Sequence, residues 1–454
     1  MAESTRDLGE ERNEDTKKEA EIIAALTATL QDEQTRARYR VRAQDWSRQR
    51  TLTFLRVVVL MLTGHKHALQ NALNRFFRTL GLLREVPTAS AYSQARQKVE
   101  PALFRHLNQL VVEKFYTLYA SEGSVRRWQG RRVLGIDGTM INLPDTAATR
   151  AHYTRHGNQH GRAIRVQALG SVCYDLLNDV VLDATLGKQV AEKESLFTSH
   201  LQVMAPGDVI VLDRGYADYG VMAFLMHHQQ DFVIRMPRRR AGAIRAFWDG
   251  PEQEQVLELA VPERQVAFVK QHGLAARLQV RFVKIALADG EIEVVATSLL
   301  EAKAVPAAAL KTLYGWRWGI ETYYDRLKNI FEVERFSGRT VRSIEQDFFG
   351  VLFLTTLESV LSRAADEELA QESATAQRKY VAQVNHAVSY LALVDHTVAL
   401  LCDPPGTVEE TLATLHFLFK TSPTLRRPGR RFPRHRRSGF RRAWFYRYVV
   451  RTVA

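Results

Sequence analysis

Cysteine is nearly absent. Cys173 and Cys402 are the only two in 454 residues, which excludes a disulfide framework and a cysteine-rich zinc module and fits a reducing compartment. Glycine (25) and proline (13) are too scarce for a collagen-like or low-complexity chain. No apolar run approaches the roughly 20 residues of a membrane-spanning helix. The longest, Leu52 to Leu62, is interrupted by Arg56 and reads as a buried helix. The opening residues Glu3, Arg6, Asp7, Glu10, Glu11 and Arg12 lack the cationic start and apolar segment of a secretion signal, so none is expected and the expected location is the cytoplasm. Acid is also short. Against 63 Lys and Arg stand 50 Asp and Glu, and the net charge of +13 favours a polyanionic partner.

What is present is globular: 46% hydrophobic and 25% charged residues, with length for two to three domains. Residues 1–45 carry dense mixed charge, with few apolar anchors between Glu10 and Glu21, and read as a frayed or solvated helix. From Trp46 to Leu118 apolar residues recur at helical spacing (Phe54, Val57, Val58, Met61, Leu62, then Leu69, Leu73, Phe76, Phe77, Leu80), which predicts an all-helical domain over 46–125. Pro87 breaks it, Ser90 is placed to cap the next helix, and that helix is expected to expose Arg96 and Lys98.

After Arg126-Arg127-Trp128-Gln129-Gly130 the period changes. Arg132 to Asp137, Val166 to Tyr174, Asp179 to Leu186, Asp208 to Asp213 and Phe232 to Ile234 are short β-branched runs that predict strands, with helices over Ala191 to Val203 and Gly220 to His228. The fold class is α/β. Residues 236–304 read as a β-rich insertion, with strands at Val256 to Leu259, Gln265 to Lys270, Leu278 to Ala286 and Glu291 to Thr297. Pro306 opens a helix through Ile330, followed by helices at Gln346 to Ala364 and Tyr380 to Leu400. A helical region over 366–425 precedes a basic tail, 426–454; from Arg426 to Arg451 it holds eleven Arg and no acid.

Asp137 and Asp213 each end an apolar strand and are followed at once by turn residues, Gly138-Thr139 and Arg214-Gly215-Tyr216. A carboxylate there leaves the core at the strand's carboxyl end, where α/β sheets place ligands. Singly, each also fits a plain turn former. Tyr314, Arg317, Glu321 and Lys328 sit at offsets 0, 3, 7 and 14 on the Pro306 helix. At about 100° per residue they share one face and make a stripe about 21 Å long, shaped to follow a phosphate backbone. The same face also suits a solvated ion-pair surface.

The spacing Tyr314-(two)-Arg317-(three)-Glu321-(six)-Lys328 resembles the Tyr-Arg-Glu-Lys signature of a group of bacterial insertion-sequence transposases with an Asp-Asp-Glu active site. Ile-Asp137-Gly-Thr and Leu-Asp213-Arg-Gly-Tyr are similar to its first and second acidic motifs, and the likeness runs over roughly residues 50–365. The resemblance implies a ribonuclease-H-like core, here 130–235 with 305–365, split by a β insertion and flanked by helical regions, the first a DNA-binding domain. It implies Asp137, Asp213 and Glu321 as catalytic metal ligands for Mg²⁺, with Mn²⁺ able to substitute, two ions serving phosphodiester cleavage and joining without a covalent protein nucleophile. It assigns Tyr314, Arg317 and Lys328 to DNA phosphates, and Arg214, Tyr216 and Trp318 stand beside these motifs as further DNA contacts. The partners implied are double-stranded DNA, as the element's terminal inverted repeats and as target, and a second copy of the chain in a paired-end complex, with no membrane and with association to a bacterial nucleoid.

Other readings remain open at this point. His152, His156 and His160, with Glu192 or Glu194, suggest a metal face, although Arg155, Arg162 and Arg165 among them favour a DNA-facing loop. Trp248, Trp316 and Trp318 offer stacking surfaces for an unpaired base, and the tail interleaves Arg with Phe432, Phe440, Trp444, Phe445, Tyr446 and Tyr448, suiting nucleic acid. A metal-dependent nuclease without strand transfer and a catalytically silent DNA-binding regulator are the alternatives to a transposase.

Overall fold

A computed structural model describes residues 2–48, 50–63, 68–120, 123–156, 165–188, 192–238, 242–286, 290–402 and 408–427. The chain divides into two compact units, one drawn from residues 1–121, 143–152 and 327–454, the other from 122–142 and 153–326.

The first unit opens with α1 (Ala2–Gln31), α2 (Glu33–Tyr39), α3 (Phe54–Leu62), α4 (Leu69–Thr79), α5 (Ala89–Arg96) and α6 (Ala102–Leu118). The charged start is not a solvated appendage throughout. Ile22, Ile23, Leu26 and Leu30 form an apolar stripe on the second half of α1, all four buried, and burying that stripe holds the helix down. In α3 the run from Val57 to Leu62 is buried, and the Thr53 hydroxyl caps the helix by accepting from the Arg56 amide. The cap of α5 is Thr88, not Ser90; its hydroxyl accepts from the Ala91 amide.

The second unit is built on one sheet. Its chain order is β1 (Val133–Asn142), a return to the first unit through α7 (Ala147–His152), then β2 (Thr154–His156), β3 (Arg165–Asp175), β4 (Val180–Gly187), α8 (Glu192–Thr198), β5 (Val209–Leu212), α9 (Tyr219–His227), β6 (Asp231–Arg235), α10 (Ala243–Asp249), β7 (Glu254–Ala260), α11 (Val266–Gln271), β8 (Arg277–Ala286), β9 (Ile292–Thr297), α12 (Ala307–Trp316) and α13 (Trp318–Asn329). The strands run β2-β3-β1-β5-β6-β9-β8-β7, with β4 also on β3. β1 and β4 are antiparallel to β3, while β5 and β6 follow parallel to β1. The sub-order β4-β3-β1-β5-β6 with these directions is the ribonuclease-H-like arrangement. The β-rich segment extends the same sheet, because β9 pairs antiparallel with β6.

Beneath α12 the sheet is paved with Val133, Val209, Val211, Val233, Val283, Ile285 and Val295, which meet Leu310, Leu313 and Tyr314. Each such side chain contributes about 1.5–3 kcal/mol on burial. The strand expected at Gln265 to Lys270 is instead α11. Its Phe268 ring packs on Phe197 (5.2 Å between centroids) and, one turn on, on His272 (4.4 Å), contacts that need helical spacing.

The first unit resumes with α14 (Val341–Leu361), α15 (Arg363–Thr375), β10 (Val381–Gln383), α16 (His386–Leu401), α17 (Val408–Lys420) and β11 (Thr424–Arg426). The helix expected from Tyr380 starts only at His386: residues 381–383 pair with Thr424–Arg426, and Asn385 caps the helix. Arg96, expected on an exposed face, is buried and donates to Gln346 Oε1 (2.8 Å), the Ser343 carbonyl (2.9 Å) and Asp347 Oδ1 (2.7 Å) on α14. Partners so distant in sequence leave no local signal. No single described helix is long and apolar enough to cross a membrane; α14 with α15, bent by 45°, passes by length and composition only.

Candidate active site

The two aspartates are carried by neighbouring parallel strands. Val133, Leu134 and Gly135 of β1 lie opposite Val209, Ile210 and Val211 of β5. That ladder ends at Gly135 and Val211, two residues short of Asp137 and of Asp213. On the far side of β5, Leu212 lies opposite Ile234, so one further residue sets Arg235 level with Asp213. Asp213 and Arg235 thus stand at the carboxyl ends of β5 and β6, whereas Asp137, expected to end its strand, lies in the middle of β1, which runs on to Asn142 because Gly138 and Thr139 pair with Ser171 and Gly170 of β3 instead of turning. Asp213 keeps an extended backbone (φ −77°, ψ 169°) and starts the turn Arg214–Tyr216, the Tyr216 amide donating to its carbonyl at 3.0 Å. Asp137 Oδ1 accepts from the Gly138 amide at 2.9 Å.

The glutamate arrives on α13. The single helix expected from Pro306 to Ile330 is broken at Arg317, which closes a tight turn: its amide donates to the Tyr314 carbonyl (3.1 Å) and its carbonyl accepts from the Ile320 amide (3.2 Å). These i to i−3 bonds overwind the chain relative to an α-helix. The four-residue stripe is therefore interrupted, and its first half faces inward, with Tyr314 6% and Arg317 5% exposed. The Arg317 guanidinium lies over the rings of Trp318 (4.9 Å) and Tyr314 (5.5 Å) and donates to Glu321 Oε1 at 2.7 Å.

Burial alone would lower the arginine's proton affinity, but Tyr314, Glu321 and Asp213 around it hold it above its ordinary value. Burial pushes the Tyr314 phenol up. The Tyr314 hydroxyl and Arg317 Nε are buried and have no hydrogen-bond partner, so two polar atoms next to Asp213 and Glu321 are left for an incoming acceptor.

The other expected residues separate. Arg214 is exposed beside Asp213, and Trp318 is 54% exposed. Tyr216 points into the core at 2% exposure, which withdraws it from a DNA-facing surface. Lys328 is half-buried on the last turn of α13, where the chain passes into the other unit. Trp316 packs against the sheet core, and Trp248 Nε1 is buried without a partner. His160, Arg162 and the tail from residue 428 lie outside the described residues. Sequence reasoning missed Arg235, which binds Glu293 at 2.6 Å; its place at the end of an apolar strand, like that of Asp213, was the signal. It also missed Tyr324, whose hydroxyl donates to the Asp137 carbonyl at 2.5 Å. Burial pushes the Cys173 thiol up, and the Cys402 thiol to about 12, so neither is a ready nucleophile.

Residues 128–357, just over half the chain and a span that includes the three candidate carboxylates, match the family model described as the transposase DDE domain. The chain belongs to that family. It is similar to the transposase InsG for insertion sequence element IS4 of Escherichia coli (strain K12), with 23% identity over 309 residues, 66% of this chain and 67% of that protein. The piggyBac transposase synaptic complex with hairpin DNA aligns over 87% of this chain and 85% of its own at 8% identity, with a TM-score of 0.44.

As a DDE transposase the chain is an enzyme that acts on DNA, and its family works with divalent metal ions. The donor set suits a hard cation, since all three candidate ligands are carboxylates. Asp137 is on β1 and Asp213 directly follows the neighbouring strand β5, while Glu321 is held by Arg317. Among the described residues no three His, Cys, Asp or Glu side chains stand close enough to share one ion.

Proposed function

We propose that this transposase cuts the ends of an insertion sequence and joins them to target DNA, with Asp137, Asp213 and Glu321 holding two Mg²⁺ ions, which Mn²⁺ can replace. The observation that carries the reading is that Asp137 and Asp213 each follow by two residues the last paired positions of the adjacent parallel strands β1 and β5, with Glu321 held beside Arg317 on α13. When bound, the ions supply an activated hydroxyl and stabilise the leaving oxygen in an in-line displacement. The protein's own groups do the rest. Arg317, Arg235, Arg214 and Lys328 supply positive charge for phosphates, and the orphaned Tyr314 hydroxyl supplies a donor to a phosphate oxygen. Trp318 offers a flat exposed face beside them for a base. The helices of residues 46–125 read the terminal repeats, the β-rich segment 236–304 belongs to the catalytic unit, and two copies hold two ends.

The test uses the full chain and duplexes carrying the DNA that flanks its gene. Cleavage and strand transfer should require Mg²⁺ or Mn²⁺, and Asp137→Asn, Asp213→Asn and Glu321→Gln should each abolish both while keeping duplex affinity. Cleavage without joining would favour a nuclease; binding without cleavage would favour a silent regulator.

A further inference from the structure

Two contacts set how far α13 stands from the strand that carries Asp137. Tyr324, buried one turn beyond Glu321, donates its hydroxyl to the Asp137 main-chain carbonyl at 2.5 Å and reaches the Gly170 carbonyl at 3.5 Å. β1 pairs with β5 only as far as Gly135 opposite Val211, so at Asp137 the ladder is to β3, and the phenol serves a backbone acceptor at the point where the strands part. The second contact is a wedge. The Leu176 side chain lies between β1 and α13, so close that a Cβ on Gly135 or on Gly319 would come within 3.1 Å of it. Gly319 is two residues before Glu321, and Gly135 two before Asp137. The rest of α13 is fastened to β3: Tyr323 stacks on Tyr174 at 4.6 Å, and Arg326 donates to the Tyr174 hydroxyl at 3.1 Å.

We infer that Tyr324 is a positioning residue, which sets the separation of the Glu321 and Asp137 carboxylates by tying the helix of one to the backbone of the other. This rests on the reading above that these carboxylates bind the divalent ions. A ligand residue whose own backbone is gripped from the opposing ligand's helix cannot drift independently of it, and outer contacts of this kind typically change metal affinity 10- to 100-fold.

The experiment compares the full-length wild type with Tyr324→Phe, Gly319→Ala and Glu321→Gln. It measures the rise in thermal midpoint produced by Mn²⁺ without DNA, the Mg²⁺ concentration giving half-maximal cleavage of an end duplex, and duplex affinity in EDTA. Tyr324→Phe should keep a cooperative transition and duplex affinity within about twofold, while the half-saturating Mg²⁺ rises roughly tenfold and the Mn²⁺-induced shift at a fixed subsaturating concentration shrinks. Wild-type values for both metal readouts in Tyr324→Phe overturn the inference. If Tyr324→Phe loses its cooperative transition, Gly319→Ala, which presses on Leu176 from the same helix, is judged by the same criteria. Glu321→Gln separates the two levels: a full metal response in that variant removes the ligand assignment itself, whereas loss there with no change in Tyr324→Phe removes only the positioning role.

Discussion

Arg317 and Glu321 face each other across one turn of chain, Nη1 to Oε1 at 2.7 Å, so the residue proposed as third metal ligand is held by a cation that is itself 5% exposed. The guanidinium aims the carboxylate, and it also competes with any metal for the same oxygen.

This competition makes opposite predictions for two readouts. Arg317→Ala should leave the Mn²⁺-induced thermal shift intact or enlarge it, since Glu321 is released, while cleavage of an end duplex falls at least roughly tenfold because a phosphate has no guanidinium to bind. Arg317→Lys should not recover the rate, because an ammonium cannot make two parallel bonds. Loss of the thermal shift in Arg317→Ala would mean that the arginine's work is to hold Glu321 in place.

Arg235 stands level with Asp213 and is paired with Glu293, which is 8% exposed. Arg235→Gln should cost about 1–3 kcal/mol of stability, since it strands a buried carboxylate. Adding Glu293→Gln should return most of that stability but not the cleavage rate, because the strand-end charge stays absent. Recovery of both in the double variant would reduce Arg235 to a structural ion pair.

Much of this site could be read locally. Asp137 and Asp213 each follow an apolar run, a pattern that needs no tertiary information; the turn expected after both is found only after Asp213, since the pairing of Gly138 and Thr139 with β3 carries β1 on to Asn142. That their strands are neighbours was not legible, because pairing between β1 and β5 is a property of two segments about seventy residues apart. The Tyr314, Arg317, Glu321 and Lys328 spacing was visible, but the break at Arg317 was not: it accompanies a guanidinium stacked on two rings and bonded to Glu321. The run Val266-Ala267-Phe268-Val269 misled for the ordinary reason that a short apolar stretch suits strand and helix equally, and the Phe197 and His272 rings decided it. Arg96 looked like a surface cation because its partners lie some 250 residues on.

In the first unit, Glu368 on α15 is held by α17. His416 Nε2 stands 3.1 Å from Glu368 Oε1 and Lys420 Nζ 2.6 Å from Oε2, and His416 first, then Lys420, bring the carboxyl down from 4.5 to about 2. A depressed folded value means the stabilisation is complete above about pH 5 and is lost as the pH falls from 4.5 towards 2. Glu368→Gln should therefore be less stable than wild type at pH 7 by roughly 2 kcal/mol, discounted for its partial exposure, with the gap closing near pH 2. Chemical denaturation at several pH values checks this; a gap that persists at low pH would assign the loss to packing.

The basic tail gives the last prediction. Residues 428–454 contain nine Arg and no acid among six aromatic residues. Such a composition suits phosphate contacts, and phosphate contacts set affinity without reading sequence. Ending the chain after Arg427 retains Thr424–Arg426, which pair with Val381–Gln383, so the fold of the first unit should survive as a cooperative thermal transition. Affinity for random duplex should fall, and the slope of log affinity against log salt should become shallower by about 0.9 for each phosphate no longer neutralised. The ratio of end to random-duplex affinity should hold within a few-fold, because discrimination is assigned to the helices of residues 46–125. A collapse of that ratio with random-duplex affinity unchanged would make the tail the sequence reader and move specificity out of the N-terminal helices.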